Sequence, residues 1–520
     1  MANKITQKDI NNTVWNACDT FRGTIDPSQY KDYILTMLFL KYVTDIFEEK
    51  KAKYTEKYNG NEERVKRALE LERFIVPEES NFFYLYEHRS NPQIGSMINH
   101  ALAELEDANR EKLGGHDGSN IFRNIDFNSS NLGDDKAKIA RLRNLLNDFY
   151  DLNLSHDNLE DDDIIGGAYM FLISNFASDS GKKAGEFFTP AEVSTLVAKL
   201  TKSKPGSRIY DPTCGSGALL IKAGKEVGNN DFSLYGQEAN GSTWALAVMN
   251  MYLHGYDSAV IRWGDTIRNP KHLENGKLML FDTVVANPPF SLDKWGIVED
   301  KKGENKQAST YDPASDPYNR FHRGVPPKSK GDWAFITHMI ESLNNTGKAG
   351  VVVPHGVLFR GAAEGKIRTK VLNEDLIEAV IGLPSNLFFG TGIPAAIMIF
   401  NKAKVNKNKV LFIDASKEFI AAKNQNILGE EHINHIVEVY NNFHDNEIKG
   451  GVVEDKYAYV ATLDEIKEND YNLNIPRYVD TYEEEPEIDL GETQIRINEL
   501  EIELATIKDK MNQYLQFFND

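Results

Sequence analysis

Apolar residues in the first third of the chain recur at helical spacing. In YKDYILTMLFLKYVTDIFEEKKAKY, Ile34, Leu38, Tyr42 and Ile46 fall every four residues, with Leu35 and Phe39 alongside. That spacing sets them on one stripe of a long helix. KAKIARLRNLLNDFYDL repeats the pattern after DFNSSNLGDD, whose Asn, Gly and Asp residues favour a loop and then a helix start. Residues 1–165 are therefore expected to form an all-α N-terminal domain. No catalytic cluster stands out there, so its expected role is structural.

From 166 to 480 the period shortens. SRIYDP, SLYGQE, FDTVVANPP, AGVVVPHG, IEAVIGLP, AAIMIFN and KVLFID are short apolar runs rich in β-branched residues, separated by helical patterns. Strands alternating with helices predict a doubly wound, mostly parallel Rossmann-like sheet with helices on both faces. Ligands on such sheets sit beyond the carboxyl ends of the strands, where the Gly-, Pro- and Asn-rich segments fall. After the acidic break TYEEEPEIDLGE, residues 481–520 carry a heptad pattern. Leu490, Ile497, Leu504, Met511 and Phe518 repeat every seven residues, and Leu500, Ile507 and Tyr514 fill the alternate seam. Such a helix wants a partner helix, either from another chain or from its own domain.

Composition narrows the class. Hydrophobic content of 41% and charged content of 26% over 520 residues suit a globular protein with at least one large core. No apolar run reaches the ~20 residues of a membrane span, and the first residues lack the apolar core of a secretion signal. The two cysteines, Cys18 and Cys214, fit a reducing cytoplasm and exclude a disulfide framework. No HExxH or comparable cluster suggests a metal. The net charge of −19 argues against a chain that grips nucleic acid by itself. One stretch departs from it: PYNRFHRGVPPKSKG holds Arg320, Arg323, Lys328 and Lys330 without an acidic residue, interleaved with Tyr318 and Phe321. It ends a Gly/Ser/Pro/Lys-rich segment, 291–331, that reads either as a mobile loop ordering on DNA or as a solvated insertion.

Two motifs carry chemistry. IYDPTCGSGALL (209–220) is a strand, a glycine turn and a helix start, where Gly215 and Gly217 let a ligand approach the backbone. Glu238, at the next strand end, is placed to accept from two ribose hydroxyls. A dinucleotide site wants a Gly or Ala where Leu220 stands, and Asp211 beside the turn repels phosphate. The same carboxylate can receive an ammonium group, so S-adenosylmethionine suits the loop better. Asp265 in WGDTI could accept from an adenine amino group, or cap a turn. GAAEGKI (361–367) is one residue short of a P-loop and lacks its hydroxyl, which excludes an ATP-driven motor.

VVANPPF is the second motif: a buried strand over 281–286, then Asn287, Pro288, Pro289 and Phe290. An aromatic amine is a poor nucleophile because its lone pair is delocalised. Two acceptors aimed at its hydrogens, the Asn287 side-chain oxygen and the Pro288 carbonyl, can localise that pair. The proline rings stiffen the carbonyl, and Phe290 offers a stacking face. A base inside a duplex would have to be flipped out to reach it.

These residues resemble the N6-adenine amino-methyltransferases, with GEFFTP (185–190), DPTCGSG and NPPF as their motifs. The whole chain is similar to the modification subunits of Type I restriction–modification systems. VWNACDTFRGTIDPSQYKDYILTMLFLKYVTD resembles their helical domain, and GDWAFITHMI, GVVVPHGVLFRG, LPSNLFFGTGIPAAIMIF and YNLNIPRYV match further blocks. The resemblance implies S-adenosylmethionine-dependent methylation of adenine N6 in double-stranded DNA, protecting host DNA from restriction. It implies assembly with a specificity subunit, with two modification chains per specificity chain, and with a separate restriction subunit. It places Glu186, Phe187, Phe188, Thr189 and Pro190, Thr213 to Gly217 including Ser216, and Glu238 along the cofactor, and residues 287–290 on the target base. Phe187 and Phe188 could instead be core aromatics ahead of an N-cap at Thr189. The heptad helix would dock the specificity subunit.

Three rivals remain at this level. One is another amino-methyltransferase, acting on cytosine N4 or protein glutamine; the helical domain and basic loop favour DNA. A dinucleotide oxidoreductase leaves NPPF without a role. A non-enzymatic scaffold does not need the full Asn–Pro–Pro–Phe set.

Overall fold

A computed structural model describes residues 4–113, 120–161, 164–179, 189–296, 311–388, 392–423, 425–481 and 490–517. Residues Met1–Val479 form one compact unit and Asp480–Asp520 a second.

The N-terminal helices form where the pattern places them. Thr6 caps the helix Gln7–Asp19, its hydroxyl accepting from the Asp9 N–H while Asp9 accepts from the Thr6 N–H, which satisfies two otherwise orphaned donors. The helix Pro27–Lys57 buries Ile34, Leu35, Leu38 and Phe39 completely. Lys41 and Asp45, four residues apart, pair inside this core. Asp135–Tyr150 is capped by Asp134, which accepts from the Ala137 N–H, and buries Leu142, Leu145, Leu146 and Phe149. A fourth helix, Ile164–Asp179, packs against the first two helices and also against Gly241–Leu253 of the α/β region. Residue 165 falls inside this helix, and the first strand begins only at Ser207, so helices continue past it within one packed unit. Phe74 and Tyr252, one from each side of residue 165, meet with ring centroids 5.0 Å apart.

The strands are β1 (Ser207–Asp211), β2 (Phe232–Glu238), β3 (Val260–Trp263), a small hairpin β4 (Leu273–Glu274) and β5 (Lys277–Leu278), then β6 (Phe281–Ala286), β7 (Leu343–Pro354), β8 (Ile377–Gly382), β9 (Ala395–Asn401), β10 (Lys409–Asp414), β11 (Gly451–Glu454) and β12 (Ala458–Thr462). Ten of them make one sheet in the order β11-β12-β10-β8-β9-β7-β6-β1-β2-β3. β3, β2, β1, β6 and β7 run parallel. β9 lies antiparallel between β7 and β8, and β12 and β11 add an antiparallel edge. The α/β, mostly parallel reading holds; the reversed β9 was not legible, because a strand buried on both faces reads alike in either direction. The chain builds outward from β1 to β3, then crosses back to β6 on the other side of β1. Between β1 and β6 the strand order reverses, and a crevice opens beyond their carboxyl ends.

No helix among the described residues is long and apolar enough to cross a membrane. Glu79, His100 and Glu104 come within metal-ligand reach of one another on the N-terminal helices, a grouping the sequence did not flag and one that exposed acidic groups often make without an ion. The second unit contains the helix Leu490–Phe517. Its seam residues Ile497, Leu500, Leu504, Ile507 and Met511 are exposed; Phe518 lies outside the described residues.

Candidate active site

At the reversal point, β1 ends at Asp211, β2 at Glu238 and β6 at Ala286, so their carboxyl ends share one edge. A cavity of ≈ 410 Å³ opens there, lined by Thr189, Asp211, Thr213, Gly215, Ser216, Glu238, Asp265, Asn287 and Pro289 among others. Five segments far apart in sequence thus converge on one space.

The glycine turn is built by backbone geometry. Gly215 and Gly217 have φ of +54° and +82°, the left-handed region that glycine enters without strain. A Cβ on Gly217 would also lie 2.4 Å from the Met251 methyl. Gly217 does not line the cavity; it lets the helix Ala218–Lys225 start tight against its neighbour. Gly215 faces the ligand space, and its N–H donates to Glu238 Oε2 at 3.0 Å. Glu238 Oε1 accepts from Asn240 N–H at 2.8 Å. The acid at the end of β2 is thereby fixed in the cavity wall, each oxygen accepting a backbone N–H.

Burial raises the pKa of the Asp211 carboxyl to about 8, with the nearby Glu238 adding to the rise against the Thr213 N–H that lowers it. Burial likewise raises Glu238. Among the described residues no lysine or arginine lines this cavity. The charged groups in that lining are carboxylates, whose desolvation an ammonium or a sulfonium would relieve. The donor set fits S-adenosylmethionine and not a pyrophosphate.

Asn287 follows β6 directly. Its amide nitrogen donates to Thr189 Oγ1 at 3.0 Å, while its oxygen, Oδ1, is buried with no hydrogen-bond partner among the described residues. Thr189 is therefore no N-cap: Pro190 occupies that place for the helix Ala191–Thr201, and no side chain caps it. Pro288 is buried. Phe290 is half-buried and meets Phe388 edge-on at 5.9 Å. Glu186, Phe187 and Phe188 lie outside the described residues.

Asp265 is on the rim, but its Oδ1 already accepts from the N–H groups of Ile267 and Arg268 at 2.9 Å. Its turn-capping reading is realised, and its Oδ2 pairs with Arg268 Nε at 3.7 Å. Sequence reasoning missed Asn240, Thr266, Ile267, Leu292, Trp295 and Phe335 in the lining, because they are mostly apolar residues without a motif.

The basic stretch needs correction. Arg320 is completely buried and cannot reach DNA phosphate. Its guanidinium pairs with Asp316 at 2.6 Å and donates to the carbonyls of Thr266 and Ile267, so it pins the cavity wall from behind. Arg323 is 5% exposed and held by Glu341 and Glu374, each at 2.6 Å. The sequence signal was Asp316, one residue before the stretch that had seemed free of acids. Lys328 is exposed and Lys330 half-buried.

With this geometry in hand, similarity to known proteins decides the reaction class. A family model described as N-6 DNA methylase matches residues 160–487. The chain belongs to that family. It is an S-adenosylmethionine-dependent methylase acting on adenine N6 of DNA. A second model, the HsdM N-terminal domain, matches residues 10–149. The chain is 40% identical to the methylase subunit of the Type I restriction enzyme MjaVII of Methanocaldococcus jannaschii, over 68% of this chain and 60% of that one. It is 30% identical to the MpnII methylase subunit of Mycoplasma pneumoniae, over 98% of this chain and 96% of that one. Its fold is similar to the crystal structure of the Type I restriction–modification methyltransferase subunit of Streptococcus thermophilus, with TM-score 0.79 and 35% identity, covering 92% of this chain and 100% of the other.

Proposed function

We propose that this N-6 DNA methylase works as the modification subunit of a Type I restriction–modification complex, and that Asn287 with the Pro288 carbonyl holds the adenine amino group that is methylated. One observation carries the residue assignment. Asn287 Oδ1 is a buried acceptor with no partner among the described residues, in the wall of the cavity that holds Asp211 and Glu238. A buried amide oxygen normally finds a donor, and leaving it unpaired is unfavourable by about 1–3 kcal/mol. An N6 hydrogen supplies that donor.

Thr189 holds the amide so that oxygen, not nitrogen, faces the base. The second acceptor is the Pro288 carbonyl, stiffened by two rings with φ near −65°. Together they draw the amine toward tetrahedral geometry and localise its lone pair. S-adenosylmethionine, when bound, supplies the electrophilic methyl group; Glu238, Asp211 and the backbone of Gly215 are the residues that hold it. No strong base is required, since the amine sheds its proton after the methyl has moved, and in-line proximity carries much of the barrier. Double-stranded DNA must present its adenine flipped out, against Phe290. Lys328 and Lys330 contact the DNA backbone.

Sequence recognition then belongs to a specificity subunit, with two modification chains per specificity chain, and cleavage to a restriction subunit. The exposed apolar seam of Leu490–Phe517 is the docking helix for the specificity subunit. Such a complex acts in the cytoplasm, where the DNA is. Purifying the chain with its specificity subunit and digesting treated DNA for mass spectrometry tests the activity: N6-methyladenine is expected, and N4-methylcytosine or a methylated glutamine would overturn the reading. Deleting residues 491–520 should abolish the complex in size-exclusion chromatography; an intact complex would rule out the docking helix.

A further inference from the structure

The corner that presents Asn287 is followed by a residue in an unusual conformation. Ser291 has φ of +53°, the left-handed region that a side chain rarely enters. It comes directly after Phe290, so any relaxation of Ser291 would move the corner. Its N–H donates to Asp332 Oδ1 at 2.8 Å. Asp332 is 4% exposed, and its other oxygen is held by Arg360 Nη2 at 3.0 Å. Glu364, four residues on, holds Arg360 in turn, at 3.2 Å.

The attachment is wider than one bond. Gly331 N–H donates to the Leu292 carbonyl at 2.9 Å and Lys294 N–H to the Lys328 carbonyl at 2.8 Å. The Trp295 indole N–H donates to the Pro327 carbonyl at 2.8 Å. A Cβ at Gly331 would lie 3.2 Å from both the Leu292 carbonyl and Trp295. Residues 291–295 are thus strapped flat onto 327–332, and two of them, Leu292 and Trp295, line the cavity. Two residues of the strap have left-handed backbone, Ser291 and Lys294 at φ +56°; among these ties only that of Asp332, on Ser291 next to the corner, comes from a buried charged side chain.

We propose that Asp332 is a positioning residue for methyl transfer: by holding Ser291 in its left-handed conformation, with Arg360 fixing the carboxylate, it sets the Asn287–Pro288 acceptor pair against the flipped base. Asp332 does not touch substrate; it acts through Ser291. The proposal rests on the assignment of Asn287 made above. A misplacement of about 1 Å at a reacting centre can lower a rate by ~10²-fold, and that is the loss expected when the tie is cut.

The test uses the full chain in complex with its specificity subunit, measuring single-turnover methylation of duplex DNA, calorimetric affinity for S-adenosylmethionine and thermal unfolding. Asp332→Ala should slow methyl transfer about 10²-fold while cofactor affinity stays within roughly threefold. Asp332→Asn keeps an oxygen for the Ser291 N–H and should lose much less. The decisive arm is the double variant Ser291→Gly with Asp332→Ala. Glycine adopts positive φ without strain, so it should regain about tenfold or more of the lost rate. A residue important only for stability would show no such rescue. If Asp332→Ala fails to fold, Ser291→Gly is compared in the Asp332→Asn background by the same readout. A wild-type-like rate in Asp332→Ala, or a deficit that Ser291→Gly leaves unchanged, overturns the proposal. Failure of the wild-type complex to methylate adenine would instead count against the parent reading of the site.

Discussion

Two stretches of this chain look equally functional on paper, NPPF at 287–290 and the basic run from Arg320 to Lys330, and the fold treats them in opposite ways. In the first, a buried polar atom, Asn287 Oδ1, is left without a partner among the described residues. In the second, the two arginines are saturated: Arg320 by Asp316 and two carbonyls, Arg323 by two glutamates. Residue type suggested DNA contact for both. Hydrogen-bond accounting separates them, because a native interior leaves few buried groups unpaired and those it leaves call for an explanation.

The sharpest way to break this contrast is at Asn287. Asn287→Ala should lower methyl transfer by ~10³-fold or more, in the range of removing a preorganised polar group from a transition state, with cofactor affinity changed only a few-fold. Wild-type-like turnover in a radiolabelled methyl assay would refute its role. At the other stretch the effect should be on stability. Arg320→Ala leaves Asp316 buried and unpaired and should destabilise the fold by about 3–5 kcal/mol in denaturant unfolding. An unchanged midpoint would show the pair to be dispensable.

Asp211 gives a pH test of the cofactor side. Its folded pKa, about 8, lies above the ordinary carboxylate value, so the empty site holds a proton at neutral pH. Fold stability from this group is therefore present at low pH and lost as pH rises toward 8. A cationic ligand expels the proton, so affinity for S-adenosylmethionine should rise between about pH 6 and 8. Asp211→Asn should flatten both dependences and abolish proton release in calorimetry at pH 7; persistence of the release would move the titration to another group. The smallest effect belongs to the two lysines. Replacing Lys328 and Lys330 with alanine should leave stability within about 0.5 kcal/mol. The log–log salt slope of DNA binding should become shallower by about two; an unaltered slope would remove them from the interface.

Local pattern was enough for much of the molecule. The strand 281–286, the long helix through Ile34 and Leu38, and the glycine turn after Asp211 were all legible, because period, β-branching and glycine act over a few residues. So was the place of Asn287 and Pro289 just past that strand, where they line the cavity. Residues 318–330 were not legible, because their meaning depends on Asp316, Glu341 and Glu374, two of them elsewhere in the chain. Nor was Ser291, whose left-handed backbone donates its N–H to Asp332, 41 residues on.

The sequence by itself determined which groups are available: an amide before two prolines, acids at strand ends, an apolar seam at the C-terminal end. Tertiary structure decided which of them remain unsatisfied. It turned β9 antiparallel, buried Arg320 beneath the cofactor wall and tied Asn287 to Thr189, 98 residues away. The reason is physical: short-range preferences are set by neighbours along the chain, whereas burial and pairing are set by neighbours in space, and only the latter decide what a polar group has left to offer a ligand.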